Sequence, residues 1–330
     1  MRRIYLNEGN VDFDFTQTKD DFFVTEIPNR EFANKGKYLI LKVKKIEMTT
    51  WDMVAVFRKY LNIDVTEIGY AGLKDKHATT IQYLSFDARY SNSLKKFKHK
   101  QIKILEFIKD NKSIRMGDLK ANRFGINLYN IDNIKAGKIE KTFKKIEKNG
   151  LANYFGYQRF GTKGDSILQA RSMIEGDLHI EDPKLRNFLI SVYQSELFNE
   201  WLKKRVELSN DGKFKLFEGD VYMTEDEKYI TPKEIPLKDF LARKLFITGL
   251  LPGRDVFRAR SKAREIEREF DDEFLPFKGH RRVAIVYPLD FAMKLNAKEQ
   301  KLFIEFTLPK ASYATVLLEA LKADEITTNS

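Results

Sequence analysis

Along the first third of the chain apolar residues alternate with polar ones in short runs, each closed by turn residues. Phe13, Phe15 and then Phe22-Phe23-Val24 read as a strand that Pro28 ends. Residues 37–46, KYLILKVKKI, predict a second strand, with apolar residues set against lysines from Leu41 on. The period then changes. Thr49 or Thr50 caps a helix to about Leu61, with Met53, Val54, Phe57 and Leu61 at helical spacing. Residues 68–72 read as a short buried strand entering a turn, and residues 79–86 as a β-branched and aromatic strand. Residues 102–108 fit a strand or a short helix, and 125–129 a strand. Residues 137–149 predict an amphipathic helix with Ile139, Phe143 and Ile146 on one face, closed by Gly150. From residue 164 to 278 the pattern becomes that of long helices with charged faces. Strand patterning returns at 283–287 and 302–308, before a helix over 314–321.

Composition narrows the function classes. The 330 residues are 42% apolar and 13% aromatic, enough for one large or two smaller packed domains. A formal net charge of +11 points to a polyanionic partner, nucleic acid before membrane. Cysteine is absent, which excludes disulfides, thiolate nucleophiles and cysteine-ligated zinc. No run approaches the length of a membrane span and the start has no signal-peptide core, so a cytoplasmic protein is expected.

Several stretches carry candidate chemistry. In 69–85, GYAGLKDKHATTIQYLS, one carboxylate, Asp75, stands between Lys74 and Lys76 after a glycine-containing turn. It is either an exposed turn or a carboxylate held at a sheet end, with two cations keeping it ionised. Residues 93–103, SLKKFKHKQIK, interleave lysines with Phe97 and His99, as a solvated face or a phosphate-tracking patch. Asn122 offers a donor and an acceptor suited to a uracil edge, and Phe124 a ring for stacking. Arg159 could pin a phosphate or serve as a buried structural arginine. Asp12/Asp14 and Asp271/Asp272/Glu273 are conceivable Mg²⁺ groups, His77, His99, His179 and His280 lack metal-ligand spacing, and no phosphate-binding loop occurs.

The exact strings resemble the TruD family of tRNA pseudouridine synthases. Gly72, Lys74, Asp75, Ala78, Thr80 and Gln82 match that family's catalytic-aspartate signature, and Asp21-Phe22-Phe23-Val24-Thr25-Glu26 its opening motif. Lys120-Ala121-Asn122-Arg123-Phe124, residues 153–161 (NYFGYQRFG), Ser195-Glu196-Leu197-Phe198-Asn199 and residues 306–315 (FTLPKASYAT) resemble further family motifs. Two departures stand out. Thr16 occupies a place that often holds a basic residue, which leaves the cationic partner of Asp75 open with Lys19 nearest, and Ala311 replaces a glycine.

The resemblance implies an α/β (α+β) fold: a catalytic domain on a mixed, largely antiparallel sheet, with an inserted, helix-rich TRUD domain. Residues 1–150 and 287–330 would form the former and 151–286 the latter. It implies Asp75 as catalytic residue and Phe22, Asn122 and Tyr313 as substrate contacts, supported by Glu26, Lys74, Gln82, Phe124 and Arg159. It implies a monomer that isomerises a uridine of tRNA, uridine 13 in this family, with no cofactor and no metal. A non-catalytic RNA-binding protein is the rival class, since charge and aromatics suit it equally; Asp75 discriminates, because a binder tolerates asparagine there.

Overall fold

A computed structural model of the chain describes residues 3–161 and 165–326. Its strands are β1 (Phe22–Pro28), β2 (Tyr38–Ile46), β3 (Gly69–Tyr70), β4 (Thr79–Asp87), β5 (Ile102–Asp110), β6 (Leu119–Leu128), β7 (Leu151–Ala152), β8 (Tyr222–Thr224), β9 (Tyr229–Ile230), β10 (Leu245–Leu251), β11 (His280–Val283), β12 (Ile285–Val286), β13 (Leu289–Asn296) and β14 (Lys301–Pro309). The helices are α1 (Thr50–Leu61), α2 (Ser91–Lys95), α3 (Asn133–Asn149), α4 (Asp165–Glu175), α5 (Pro183–Glu207), α6 (Leu237–Leu241), α7 (Ser261–Arg268) and α8 (Ala314–Lys322). Among the described residues no helix is long and apolar enough to cross a membrane.

The chain folds into two compact units. The sheet unit takes Asp12–Ala136 and Pro288–Ala311, and the mixed unit takes Met1–Val11, Gly137–Tyr287 and Ser312–Ser330. Residues 1–11, 137–150 and 312–330 therefore pack with the unit that contains 151–286.

Eight strands build the sheet unit, in the order β13-β14-β6-β1-β4-β2-β5, with β3 paired to β4. β1 and β4 are parallel and the other neighbours antiparallel, which is the mixed, largely antiparallel sheet expected. Alternation in β2 sends Leu39, Leu41 and Val43 to one face, where they pack with Met53, Val54 and Phe57 of α1. Each such buried side chain contributes about 1.5–3 kcal/mol relative to exposure. α1 starts where the sequence predicts. The Asp52 amide donates to Thr49 Oγ1 at 3.0 Å and the Thr49 amide to Asp52 Oδ2 at 3.1 Å, a closed capping box. β6 is longer than its apolar run suggests and takes in Asn122 and Phe124 as ladder positions.

In the mixed unit the expected run of long helices stops at Glu207. Between Leu208 and Val283 come the short α6 and α7 and a four-stranded sheet, β11-β10-β8-β9. The β-branched stretch LFITGLL becomes β10, and its Gly249 lies where a Cβ would come within 2.2 Å of the Trp201 ring of α5. The charges of this stretch pair locally: Arg264 with Glu267 along α7, and Arg258 and Arg264 both with Asp271 beyond it.

Candidate active site

Antiparallel partners lie on the same side of a sheet, so the ladder registers place side chains by face. Glu26 is opposite Asn122, Val24 opposite Phe124, and Phe124 opposite Phe306. Val24 is also level with Thr80, and Thr80 with Lys45. Alternation adds Phe22 and Gln82 to this face. One side of the sheet unit thus collects Phe22, Glu26, Gln82, Asn122 and Phe124, far apart in sequence.

The loop between β3 and β4 carries Asp75 and is tied to that face at three points. The Lys74 amide donates to Thr50 Oγ1 at 2.9 Å, and Thr50 Oγ1 donates to Gln82 Oε1 at 3.1 Å. Lys74 Nζ lies 2.7 Å from Glu26 Oε2, both side chains almost wholly buried. Glu26 also accepts from the Tyr83 amide at 3.3 Å. Lys45 Nζ donates to the Asp75 carbonyl at 2.9 Å and to the Met48 carbonyl. The backbone around Asp75 is held, while its carboxylate accepts no hydrogen bond from the described residues.

This arrangement revises the electrostatics expected from the Lys-Asp-Lys string. Lys74 is engaged by Glu26, and Lys76 is exposed. Solvent reaches the Asp75 side chain, yet protein crowds around it. That burial pushes its carboxyl above the ordinary carboxylate value, against the opposing charges of Lys45, Lys74 and His77. Lys45 is the first of those cations, and its own burial lowers it to about 8, opposed by Asp75. Lys19 pairs with Glu47 at 3.3 Å on the surface. Lys45 is the buried cation at this candidate site that the sequence reading passed over, and it left a signal: it stands in phase with Leu39, Leu41 and Val43, where an apolar residue belongs.

Phe22 is 2% exposed and belongs to a run of rings, 6.0 Å from both Phe15 and Phe124. Phe124 in turn stacks on Phe306 at 5.6 Å. Asn122 Oδ1 and Gln82 Nε2 are buried with no hydrogen-bond partner among the described residues. A buried polar atom left without a partner costs about 1–3 kcal/mol, so each is an open position for a ligand or water.

Tyr313 and Arg159 lie in the mixed unit. Tyr313 is the N-cap residue of α8, half-buried, 6.3 Å from the Phe155 ring. The glycine of NYFG, Gly156, has a spatial reason: a Cβ there would meet Gln158 Oε1 at 2.5 Å and Tyr313 Cδ1 at 3.1 Å. Arg159 Nε donates to Ser195 Oγ at 3.2 Å, and its Cζ lies 5.6 Å from the Phe155 ring. Arg282, also unnoticed in the sequence, is buried over Phe155 at 3.9 Å and donates to the Asn153 carbonyl. Its burial lowers it to about 10, opposed by Tyr313 and assisted by Arg159. Among the described residues no group of three His, Cys, Asp or Glu side chains is placed to hold a metal ion.

Chains of known kind share this sequence and this fold. A curated tRNA pseudouridine synthase D of Nitratiruptor sp. is 38% identical over 97% of this chain and 97% of its own. That of Sulfurimonas denitrificans is 38% identical over 99% of this chain and 100% of its own. The crystal structure of a putative tRNA pseudouridine synthase D from Methanosarcina mazei superposes with a TM-score of 0.74 at 24% identity, covering 98% of this chain and 96% of that one. The sequence also matches the family described as tRNA pseudouridine synthase D (TruD) over residues 3–180 and 178–321. Matched by that family's model over nearly its whole length and by relatives 38% identical, this chain belongs to the TruD family.

Proposed function

We propose that this protein is a tRNA pseudouridine synthase, an isomerase that converts a uridine of tRNA, uridine 13 by resemblance, to pseudouridine. Family membership supports the reaction class. The observation that carries the assignment of residues is the Asp75 loop, where Lys45 and Thr50 hold the backbone and Glu26 holds the Lys74 side chain around a carboxylate with open oxygens. A protein that only bound RNA would have no use for a carboxylate whose backbone is so firmly held.

The reaction breaks the N1–C1′ bond, turns the uracil, and joins C5 to C1′. The C5 proton leaves and N1 gains one, so atoms balance with no redox change. Asp75 is the group for the ribose, either as nucleophile at C1′ or as base at C2′. Lys45 and the Lys74–Glu26 pair act as positioning residues. Asn122, with an unpartnered carbonyl oxygen, suits the uracil imide, and Phe22 and Phe124 form an aromatic floor. Tyr313 is assigned to stacking on the extruded base, which offsets an unstacking cost of a few kcal/mol. Residues 1–150 with 287–330 form the catalytic portion, and 151–286 the family-specific insert.

Asp75→Asn tests this. Pseudouridine formation on a tRNA transcript should fall by more than about 10³-fold with RNA affinity retained. Full turnover by the variant would remove Asp75 from the mechanism, whereas a parent that binds the transcript and forms no pseudouridine would leave the binder reading standing. Because burial raises the Asp75 carboxyl, its ionised form costs stability, and that cost appears as pH rises through the folded value. The variant should therefore melt slightly higher than the parent at neutral pH.

A further inference from the structure

A second basic feature lies on the edge of the sheet unit. β5 is an edge strand, and the segment from α2 into β5 encloses a groove of about 480 Å³. Its lining includes Lys44, Lys95, Lys98, Lys100 and Lys103 and no carboxylate. Nearby acids are turned to other cations, Glu106 to Lys42 at 3.9 Å and Glu47 to Lys19 at 3.3 Å.

Two observations separate this groove from an ordinary solvated face. Lys44 and Lys103 are direct cross-strand partners between β2 and β5. Like charges in that position destabilise a sheet, and an anion across them removes the penalty. The aromatic residues, moreover, form a fixed column. Phe57 of the core stacks on Phe97 at 4.6 Å, and Phe97 lies parallel to the His99 ring at 6.3 Å and 12°. His99 Nδ1 accepts from the Gln101 amide at 3.2 Å, which puts the proton of the neutral ring on Nε2 as a donor. A rigid imidazole donor amid five lysines is built for phosphate oxygens.

We propose that this groove is a binding site for the phosphate backbone of the substrate RNA, separate from the residues assigned to the target uridine. The inference rests on the reading of tRNA as substrate. Phosphates lie across Lys44 and Lys103, His99 donates to one of them, and Lys95, Lys98 and Lys100 neutralise the flanking strand. The site reads no bases, so it adds affinity and register without sequence preference.

The test is the dissociation constant for an unmodified tRNA transcript, measured against salt, for the parent and for Lys98→Gln/Lys100→Gln/Lys103→Gln. Each lost phosphate contact lowers the log–log salt slope by about 0.7–0.9, so the triple variant should be shallower by roughly 2–3 and bind at least tenfold more weakly at low salt. His99→Phe keeps the ring column and removes the donor, and should weaken binding severalfold with an unchanged melting temperature. Lys141→Gln/Lys144→Gln/Lys148→Gln on α3 is the control. A groove variant with the parent's slope, or a control that loses as much, overturns the proposal. A parent that binds the transcript yet forms no pseudouridine sinks the functional reading and not the groove; a parent that does not bind it sinks both.

Discussion

A lysine where the strand pattern calls for an apolar side chain is the residue on which the candidate site turns. Lys45 is fully buried, carries the clamp on the Asp75 carbonyl, and titrates near 8 instead of 10.5. Replacing it with methionine frees the loop, and a carboxylate displaced by about 1 Å costs on the order of 10²-fold in turnover. Single-turnover kinetics of Lys45→Met on a tRNA transcript measure this, and an unchanged rate would return Lys45 to a purely structural part. Its titration gives a second readout. Below pH 8 folded and unfolded chains both hold the proton. Between about 8 and 10.5 only the unfolded chain does, so the Lys45 contribution raises stability with pH, by at most about 3 kcal/mol. Urea unfolding of the parent and of Lys45→Met across that range should diverge accordingly. The identity of Asp75 was readable because a long string of fixed residue types surrounds it. Its electrostatics were not, because Lys45 is 30 residues away and reaches it only through the pairing of β2 with β4. Lys74 misled for the same reason. Its neighbour in sequence is Asp75, and its partner in space is Glu26.

At the scale of elements, periodicity served well wherever burial was one-sided. β2, β4, α1 and α8 begin and end within a few residues of their patterns, while β1 ends at Pro28 as expected but starts only at Phe22, well after Phe13. It failed where both faces of a strand are covered or where charges dominate. Residues 119–124 hide a ladder segment behind Lys120, Asn122 and Arg123; β13 went unread for another reason, since none of its residues is fully buried. The substitution of alanine for the family glycine at 311 has a visible cost. Ala311 sits at φ 61°, the left-handed region, in the turn between β14 and α8. That conformation costs an L-residue about 1–2 kcal/mol, so Ala311→Gly should stabilise the protein by about 1 kcal/mol. Chemical denaturation checks it. A loss of stability would mean that the alanine methyl packs usefully, which outweighs the strain.

For the whole molecule, the sequence reading found two bodies by a change of texture after Gly150. Compactness follows other contacts. The N-terminal segment is fastened to α8 by Arg3 and Tyr5, which both donate to Glu319, and the Gly9 amide donates to the Ala320 carbonyl. No local pattern announces pairings across 316 residues. The mixed unit has its own anchor in Arg205, which donates to both oxygens of Asp220 from beneath the Trp201, Phe214 and Phe217 rings. The path of the chain sets an order in time. The sheet unit lacks nothing once residue 311 has been made, whereas the mixed unit, which holds the earliest segment, still waits for α8, whose first eight residues are all buried. Contacts that close the longest loops pay their entropy last, so the part of the protein that starts first should finish second. Pulse-labelled hydrogen exchange during refolding should show amides of β1, β4 and β6 protected ahead of those in α5 and α8; the reverse order would place the nucleus in the mixed unit. A ribosome halted just short of α8 would then hold a completed sheet while the other unit is still open, with an early amino terminus waiting for its mate.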